Sequence, residues 1–264
     1  LDVNVGLPEL DEPAVLAAAV DKLSSTVTLP LVVDSSDPVA VEAAVRGYAG
    51  KPLINSVNGK RESLEAVLPI VKRYGCAVIG LALDEEGIPP TAEGRFAVAE
   101  RIVEAAERYG IPRTDVVIDC LTMACATNQS EALEILRAVT MVKERLGVRT
   151  ALGVSNISFG LPQRNMVNST FLAAAFGCGL DMPILNPKAK RYTDTVNTFR
   201  VLNCQDAGAV EFIGEYADAA DPYTAGAAGQ GVAAGAAEAA PPSTAAHSAA
   251  ECPVAVPDSL SDAA

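Results

Sequence analysis

Short apolar runs of β-type residues alternate along this chain with longer stretches of helical periodicity. Seven of these runs end in Asp or Asn, namely LDVN (Asn4), LVVD (Asp34), PLIN (Asn55), LALD (Asp84), VVID (Asp119), LGVSN (Asn156) and PILN (Asn186). A helical stretch follows most of the endings, and strands that alternate with helices predict βαβ units and a parallel sheet. Successive strands lie about twenty to forty residues apart, which is typical of a (β/α) barrel.

The helical stretches have recognisable ends as well as an apolar period. Asp37 before Pro38 predicts a helix start, because an Asp side chain caps free N–H groups and proline suits the first turn. Gly75 and Gly147 predict the ends of two helices. We predict strands at 1–5, 30–34, 51–55, 77–83, 115–119, 149–154 and 181–186. We predict helices at 11–23, 62–74, 92–109 and 165–176, and others that begin at Asp37, that contain Leu133, Leu136, Val139 and Val142, or that begin near Tyr192.

The number of strands decides between two parallel folds. A closed barrel of this type has eight strands, whereas the pattern provides seven. A doubly wound sheet would also accept seven, but no strand is followed by G-x-G-x-x-G, and polar endings occur on every strand instead of at one switch point. We therefore predict an α/β fold, a (β/α)8 TIM-type barrel that lacks its first strand. Leu1 already lies inside a strand-like run, so we expect the chain to be cut from a longer one.

The composition separates a nearly balanced body from an acidic tail. The chain of 264 residues has a net charge of −13, but all 20 Lys and Arg lie at or before Arg200, so most of the acidic excess lies beyond it. Neither part offers the basic stripe that a nucleic-acid backbone needs, and no long charge-free apolar run suggests a membrane span. We predict a barrel over 1–217 and a flexible, disordered Ala-, Gly- and Pro-rich linker over 218–264.

The cysteine and histidine content limits the chemistry. The six cysteines are spread through the chain at Cys76, Cys120, Cys125, Cys178, Cys204 and Cys252. Reduced, buried thiols in a cytoplasmic protein explain this usage. The single histidine, His247, lies in the tail, so catalysis in the body cannot use imidazole. The spacing of Cys120 and Cys125 is a poor zinc signature, and the DEEG run at 84–87 is better explained as a solvated loop, so we predict no metal site.

The polar strand endings suggest what the barrel binds. Side chains at the carboxyl ends of barrel strands all line one mouth. Carboxylates such as Asp34 and Asp119 accept paired hydrogen bonds from ring N–H groups, whereas amides such as Asn55 and Asn156 supply a donor and an acceptor together. This set suits a flat, nitrogen-rich heterocycle better than a phosphate or a metal ion. For each single residue, an about equally good alternative is that it caps the helix that follows.

Seven motifs, in this order, resemble the pterin-binding barrel of cobalamin-dependent methionine synthase and of the related methyltetrahydrofolate:corrinoid methyltransferases. They are LDVNVG, LVVDSSDP, KPLINSVNG, GLALDEEGIP, VVIDCLTM, GVSNISFGLPQRN and GLDMPILNP. The resemblance spans about residues 1–217, and GVSNISFGLP with the following Arg164 and Asn165 is its most specific stretch. It implies that the family's first strand and the domain that presents cobalamin both lie outside this chain.

The resemblance also implies roles for particular residues. The pterin-contacting set would be Asp34, Asn55, Asp119, Gly153, Ser155 and Asn156, with Asp2 and Asn4 near the ring. Arg164 in the specific stretch, and Asp84 and Asn186 among the strand endings, are further candidates. Asn156 would be the catalytic residue, because it would lie beside the ring nitrogen that carries the methyl group.

The implied reaction is the transfer of the methyl group of methyltetrahydrofolate to the cobalt(I) of a cobalamin or other corrinoid, within methionine synthesis or one-carbon metabolism. Another domain or protein would supply that corrinoid. One alternative is an enzyme like dihydropteroate synthase, which would place Lys or Arg in the loop after Ser155 and an Arg-x-His near the last strand. Here that loop reads SNISFG and the body has no His. The other alternative is a non-catalytic folate-binding module of a larger enzyme.

Overall fold

A single parallel sheet forms the centre of the computed structural model, which describes residues 1–219. Each strand pairs in parallel with the next one along the chain. The strands are β1 Asp2–Asn4, β2 Val32–Asp34, β3 Leu53–Asn58, β4 Ala77–Leu81, β5 Val116–Asp119, β6 Arg149–Gly153 and β7 Met182–Ile184.

A helix follows each strand, and the first six helices return the chain to the start of the next strand. The helices are α1 Glu12–Ser24, α2 Pro38–Gly47, α3 Arg61–Tyr74, α4 Ala92–Arg108, α5 Ser130–Met141, α6 Arg164–Gly177, α7 Lys190–Leu202 and the short α8 Val210–Tyr216. Helix α5 continues into a π-helical turn at Val142–Leu146, and a 3-10 segment at Val154–Ser158 separates β6 from α6.

The strands curl into a half-barrel with β1 and β7 at its two edges, and the alternating helices cover its outer side. This is the architecture of a TIM-type barrel. Strand order follows chain order from β1 to β7 without a reversal, whereas a doubly wound sheet reverses its order at a switch point. The predicted fold class is therefore confirmed.

The two faces of the sheet carry different apolar groups. Fully buried strand residues pack against the helices on the outer face, among them Val33, Ile54, Val78, Ile118 and Leu152. Side chains alternate between the faces of a strand, so the intervening residues point into the barrel. A separate apolar cluster lies there, formed by Ile79, Val117 and Ala151 with the partly buried Val32, Leu53, Leu81 and Met182.

The predicted helix ends are confirmed where a specific residue marks them. The Asp37 carboxylate accepts a hydrogen bond from the backbone N–H of Val39 at 2.9 Å, one residue into α2. Gly75 ends α3 with φ 65°, and Gly147 follows the π-helical turn with φ 65°. Glycine adopts this left-handed conformation without the steric penalty of a Cβ.

Some predicted boundaries were wrong. Strand β3 continues past Asn55 to Asn58, with a register shift between Asn55 and Val57. Helix α5 contains Leu133, Leu136 and Val139 as predicted, and Leu133 is 63% exposed because the buried residues of the helix begin at Ile135. The short helix α8 was not predicted from the sequence pattern at all.

The chain divides into two units, Leu1–Ala217 and Asp218–Ala264. Residues 220–264, with most of the predicted linker, Cys252 and His247, lie outside the described residues. Within residues 1–219, no helix is both long enough and apolar enough to cross a membrane. In the same range Cys76 and Cys120 are free buried thiols, and burial raises the pKa of Cys76 to about 11.

Candidate functional site

The inner face of the sheet changes from apolar to polar toward the carboxyl ends of the strands. On three strands the residue two positions after an inner apolar residue is polar: Val32 is followed by Asp34, Leu53 by Asn55, and Val117 by Asp119. On β6 the corresponding residue is Gly153. Because residues two apart share a face of a strand, these polar side chains lie at the mouth of the half-barrel, above the inner apolar cluster.

Three polar residues lie side by side on the first three strands. Asn4 pairs in register with Asp34, and Asp34 with Asn55. Asp34 is partly buried, and Asn4 lies exposed on the edge strand. Burial raises the pKa of Asp34, a side-chain hydrogen bond with Asn4 lowers it, and the charge of Glu12 raises it. The Glu12 carboxylate in turn accepts a hydrogen bond from the Ser35 hydroxyl, directly after β2.

Asp2 adds a second carboxyl group to this side of the mouth. Burial raises the pKa of Asp2, and the nearby charge of Asp34 raises it further. A hydrogen bond with the Asn55 side chain and the charge of the chain's amino terminus lower the pKa of Asp2. Two carboxylates that repel one another are stabilised by hydrogen-bond donors, so this side of the mouth favours a ligand rich in N–H groups.

Asp119 is the buried carboxyl group of the site. It ends β5 and is only 6% exposed. Burial raises the pKa of Asp119 to about 6, while a hydrogen bond from the backbone N–H of Leu121 and the charge of Arg95 lower it. The Leu121 N–H lies 2.7 Å from Asp119 Oδ1. At neutral pH the group is mostly ionised, and it is poorly hydrated.

The segment after β6 carries Asn156 and is held in place from two sides. A Cβ added to Gly153 would lie 3.2 Å from Asn156 Nδ2, so the Asn156 amide packs closely against the end of β6. The Ser155 hydroxyl forms a hydrogen bond with the Tyr192 hydroxyl at 3.0 Å, and Arg164 donates to the Ser155 carbonyl at 3.0 Å. Arg164 therefore braces this segment through its backbone.

The loops that carry Asp119 and Asn156 are joined. The backbone N–H of Cys125, in the loop after β5, donates to the carbonyl of Ile157 at 3.0 Å, in the 3-10 segment after β6. Asp119 also pairs in register with Ala151, two residues before Gly153. The structure thus brings the ends of β5 and β6 together at one side of the mouth.

Four of the seven strand endings, Asn4, Asp84, Asp119 and Asn186, accept a hydrogen bond from the backbone N–H two residues later, but only Asn4 and Asp119 of these four lie on a strand. The Asp84 carboxylate accepts a hydrogen bond from the Glu86 N–H at 3.1 Å and lies 3.4 Å from the Arg101 guanidinium. Asn186 is exposed, and its side chain accepts from the Lys188 N–H at 3.0 Å. Asp84 and Asn186 both lie beyond the last residue of their strands. For these two residues the structure favours the alternative that the side chain caps the turn that follows the strand.

Two buried side chains beside the site were not recognised in the sequence. Arg95 is completely buried on α4, and Tyr192 is 2% exposed on α7. A signal for Arg95 was present, because it falls between Ala92 and Ala99 on the apolar stripe of an amphipathic helix. A charge in such a stripe needs a buried partner. No comparable signal distinguished Tyr192 from an ordinary core aromatic residue.

The chemistry of this site is that of carboxylates and amides. Within residues 1–219, no group of three or more His, Cys, Asp or Glu residues is arranged to hold a metal ion. The groups at the mouth instead accept hydrogen bonds from several N–H groups and donate through amides. The arrangement is suited to the hydrogen-bonding edge of a flat, nitrogen-rich ring.

The sequence matches a known family over most of the barrel. Residues 6–186 match the profile of the family described as "Pterin binding enzyme", so the chain belongs to the family of pterin-binding enzymes. The chain is 34% identical over 199 residues to the methionine synthase of Mycobacterium tuberculosis, which covers 70% of the chain and 17% of that protein. The chain thus spans about a sixth of the length of the methionine synthases that it matches.

A smaller relative is matched over most of its length. The methylcorrinoid:tetrahydrofolate methyltransferase of Eubacterium limosum is 27% identical over 193 residues, which cover 72% of this chain and 71% of that protein. Among solved structures, the dihydropteroate synthase of Xanthomonas albilineans in complex with 7,8-dihydropteroate has a TM-score of 0.60 at 22% identity, over 71% of this chain and 72% of that one. The dihydropteroate synthase of Thermus thermophilus has a TM-score of 0.59 at 20% identity, over 76% of this chain and 82% of that one. These structural matches support the fold alone.

Proposed function

We propose that this barrel binds methyltetrahydrofolate and transfers its methyl group to a corrinoid that another domain or protein supplies. The observation that carries the proposal is Asp119, a buried carboxylate at the inner carboxyl end of β5, facing the same mouth as the Asn4–Asp34–Asn55 row. The matched relatives carry names of the same chemistry, because one is a methionine synthase and the other a methylcorrinoid:tetrahydrofolate methyltransferase.

The binding step rests on hydrogen bonds to the pterin ring. Asp119 and Asp34 accept from the ring's N–H groups, and the Asn55 amide serves a ring atom as donor or acceptor. Discrimination is strong in such a site, since a ring that lacks these groups leaves buried polar atoms without partners. Asp2 and Asn4 complete the same side and tune the charge of Asp34.

The transfer step requires help at the ring nitrogen. When the carbon–nitrogen bond breaks, its electron pair stays on the nitrogen, so this nitrogen must gain a proton or a strong hydrogen bond. An amide is too weak an acid to supply the proton, which comes from water or a relay. Asn156 orients and stabilises the protonated nitrogen, a contribution of about 3 kcal/mol for a preorganised polar group. The corrinoid, when present, supplies the nucleophilic cobalt(I) that accepts the methyl group.

The direction of transfer is a property of the partners and not of this site. The Eubacterium limosum relative is named for transfer from a methylcorrinoid to tetrahydrofolate, which is the reverse of the reaction proposed here. The same hydrogen bonds serve both directions, because forward and reverse reactions share one transition state. The barrel is compatible with a corrinoid that passes the methyl group on to homocysteine and equally with a corrinoid protein that passes it elsewhere.

A dihydropteroate synthase-like activity is the second candidate, because the family description "Pterin binding enzyme" does not by itself specify one reaction. Two features of the chain oppose it. The loop after β6 reads SNISFG without a Lys or Arg, and residues 1–217 contain no His. Incubation with a pterin pyrophosphate and p-aminobenzoate tests this activity directly, and product formation would favour the synthase over the methyltransferase.

The first test is calorimetric titration of the full chain with methyltetrahydrofolate, for the wild type and for Asp119→Ala. We expect the wild type to bind and the variant to lose at least about 100-fold in affinity, because hydrogen bonds to a buried carboxylate are worth about 1.5–3 kcal/mol each. Circular dichroism checks that both proteins are folded. A folded wild type that does not bind would contradict the pterin proposal.

The second test adds free cobalt(I) cobalamin and follows demethylation of the folate. We expect Asn156→Ala to slow the transfer by about 100-fold while changing folate affinity by less than about threefold, as for loss of a group that acts only in the transition state. Asn165→Ala is the matched control, since Asn165 is an exposed amide in the same motif. Binding without any transfer by the wild type would favour the non-catalytic module instead.

A further inference from the structure

Arg95 lies behind the buried carboxylate of the site, completely buried in the half-barrel. From α4 its guanidinium reaches three other parts of the chain, which are the loop after β4, the loop after β5 and helix α5. Nη1 donates to the carbonyls of Cys120 at 3.0 Å and Leu121 at 2.9 Å, and Nε donates to the Pro89 carbonyl at 2.9 Å. Nη2 lies 3.2 Å from a carboxylate oxygen of Glu131 on α5.

These contacts are more than charge neutralisation. A buried arginine needs a counter-charge, and Glu131 forms an ion pair with Arg95. The remaining donors are directed to backbone carbonyls of the loops after β4 and β5. The planar, rigid fork of a guanidinium fixes the positions of several acceptors at once, which a lysine ammonium does not. Arg95 therefore defines the shape of the chain immediately after Asp119.

A short chain of contacts connects Arg95 to Asp119. Arg95 holds the carbonyl of Leu121, and the N–H of the same residue donates to Asp119 Oδ1 at 2.7 Å. Leu121 has φ 62°, a left-handed conformation that is costly for a residue with a branched side chain. Such a conformation persists only where the surroundings fix it, and the two bonds from Arg95 to Cys120 and Leu121 do so.

We propose that Arg95 is a positioning residue for ligand binding, which holds the turn at Cys120–Leu121 so that Asp119 presents its carboxylate to the pterin ring. This proposal rests on the function proposed above. Arg95 does not touch the ligand itself, and its effect passes through the Leu121 backbone. Its charge supports the same role, because it lowers the pKa of Asp119 against the effect of burial.

The charged surroundings of Asp119 make the test specific. Among the described residues, the charge that lowers the pKa of Asp119 comes from Arg95 on α4, and the first charged group on α5, Glu131, pairs with Arg95. The adjacent Cys120 is buried and un-ionised, since burial and the charge of Asp119 raise the pKa of its thiol. Replacing Arg95 by a neutral residue should therefore move the titration of Asp119 upward.

The experiment compares Arg95→Met, Arg95→Lys and the control Arg137→Met in the full chain. Arg137 on α5 also links the two helices, through Glu93 on α4 at 3.1 Å, and it pairs with Glu134 on its own helix at 2.9 Å, but its side chain is exposed. Two quantities are measured: the midpoint of the Asp119 carboxyl titration by NMR in the ligand-free protein, assigned with Asp119→Asn, and the affinity for methyltetrahydrofolate between pH 5 and 8.

For Arg95→Met we expect the titration midpoint to rise by about one pH unit, as for loss of a nearby opposite charge. Its affinity at neutral pH should fall at least about tenfold, as for loss of a charge-assisted contact. Arg95→Lys should keep the midpoint near the wild-type value but recover only part of the affinity, because lysine lacks the planar fork. Arg137→Met should change neither quantity.

Several results would overturn the proposal. If Arg95→Met folds and keeps the wild-type Asp119 titration midpoint and methyltetrahydrofolate affinity, Arg95 forms a buried ion pair but does not position Asp119. If Arg95→Met does not fold, Arg95→Lys provides the test. Full wild-type affinity in Arg95→Lys would show that the planar guanidinium is not required to position Asp119. If the wild type binds no methyltetrahydrofolate, the proposed function fails, and an unchanged ligand-free titration would then separately refute the link from Arg95 to Asp119.

Discussion

The two sides of the barrel mouth use acidic side chains in different ways. On the β1–β3 side, Asp34 is partly buried, and its neighbour Asn4 is exposed on the edge strand. On the β5 side, Asp119 is 6% exposed and is supported from behind by the Leu121 backbone and Arg95. One side is open and adaptable, whereas the other is enclosed and preorganised.

The difference shows which carboxylate of the site destabilises the ligand-free protein most. Moving a carboxylate out of water is unfavourable, and the free protein bears that cost at Asp119. Such a group is stabilised fully only when a ligand supplies the missing donors. At Asp34 water and the neighbouring Asn4 still provide partners, so the cost and the gain on binding are both smaller. The comparison predicts that the β5 side contributes more to ligand affinity than the β1–β3 side and also lowers the stability of the ligand-free protein more.

The largest expected effect is on the pH dependence of stability. In the folded protein, burial raises the pKa of Asp119 from its ordinary value of 3.8 to about 6. The folded state therefore holds this proton more tightly, so the stabilising contribution is complete below pH 3.8 and is lost as pH rises to about 6. When the pH is raised from 4.5 to 7.5, we expect the free energy of unfolding of Asp119→Asn to increase by about 2 kcal/mol relative to that of the wild type. Urea unfolding without ligand measures it.

The same experiment on Asp34→Asn provides the comparison. The pKa of Asp34 is also raised by burial, but the group is partly exposed and hydrogen-bonded to Asn4. We expect its change over the same pH interval to be clearly smaller than that of Asp119→Asn. Parallel pH profiles for wild type and Asp119→Asn would show that Asp119 titrates normally, and the contrast between the two sides would disappear.

The sequence predicted the fold well because the fold depends on regular patterns. The period-two strands, the Asp37–Pro38 helix start and the glycines at 75 and 147 act locally, and the structure confirms them. The pattern of seven polar endings did not distinguish side chains on the inner face of a strand from Asp84 and Asn186, which lie beyond the ends of their strands.

The site could be predicted only in part, since its support comes from distant segments. Asp34 and Asp119 were visible as strand endings, and the structure places both on the inner face. The contact between Arg95 and the Leu121 carbonyl joins residues 26 positions apart, and no local pattern contains it. The hydrogen bond between Ser155 and Tyr192 spans 37 positions in the same way.

An intermediate effect is expected at Gly153, which lies beside the Asn156 amide. A methyl group there would lie 3.2 Å from Asn156 Nδ2 and would push the amide by a few tenths of an ångström. We expect Gly153→Ala to slow methyl transfer by about tenfold with little change in folate affinity, because small misplacements of a catalytic group are costly. Stopped-flow transfer to cobalt(I) cobalamin and calorimetry measure the two quantities.

Gly177→Ala is the control for this substitution. Gly177 lies at the end of α6 with open space around its Cβ position, so the added methyl group contacts nothing. Its transfer rate should equal that of the wild type. Equal rates in Gly153→Ala and Gly177→Ala would mean that the amide position tolerates displacement, and the β6 side would then be as adaptable as the β1–β3 side.

The smallest effect is expected at Asp84, which the sequence pattern placed in the same ring as Asp119. Its carboxylate is held by the Glu86 N–H and by Arg101, whose side chain is 47% exposed. We expect Asp84→Asn to change folate affinity by less than about twofold and stability by less than about 1 kcal/mol, the usual range for an exposed ion pair. Arg101→Met should give a similarly small loss of stability. If Asp84→Asn weakened folate binding as strongly as Asp34→Asn, the ligand would also contact the end of β4. The contrast between a β1–β3 side and a β5 side would then not describe the whole mouth.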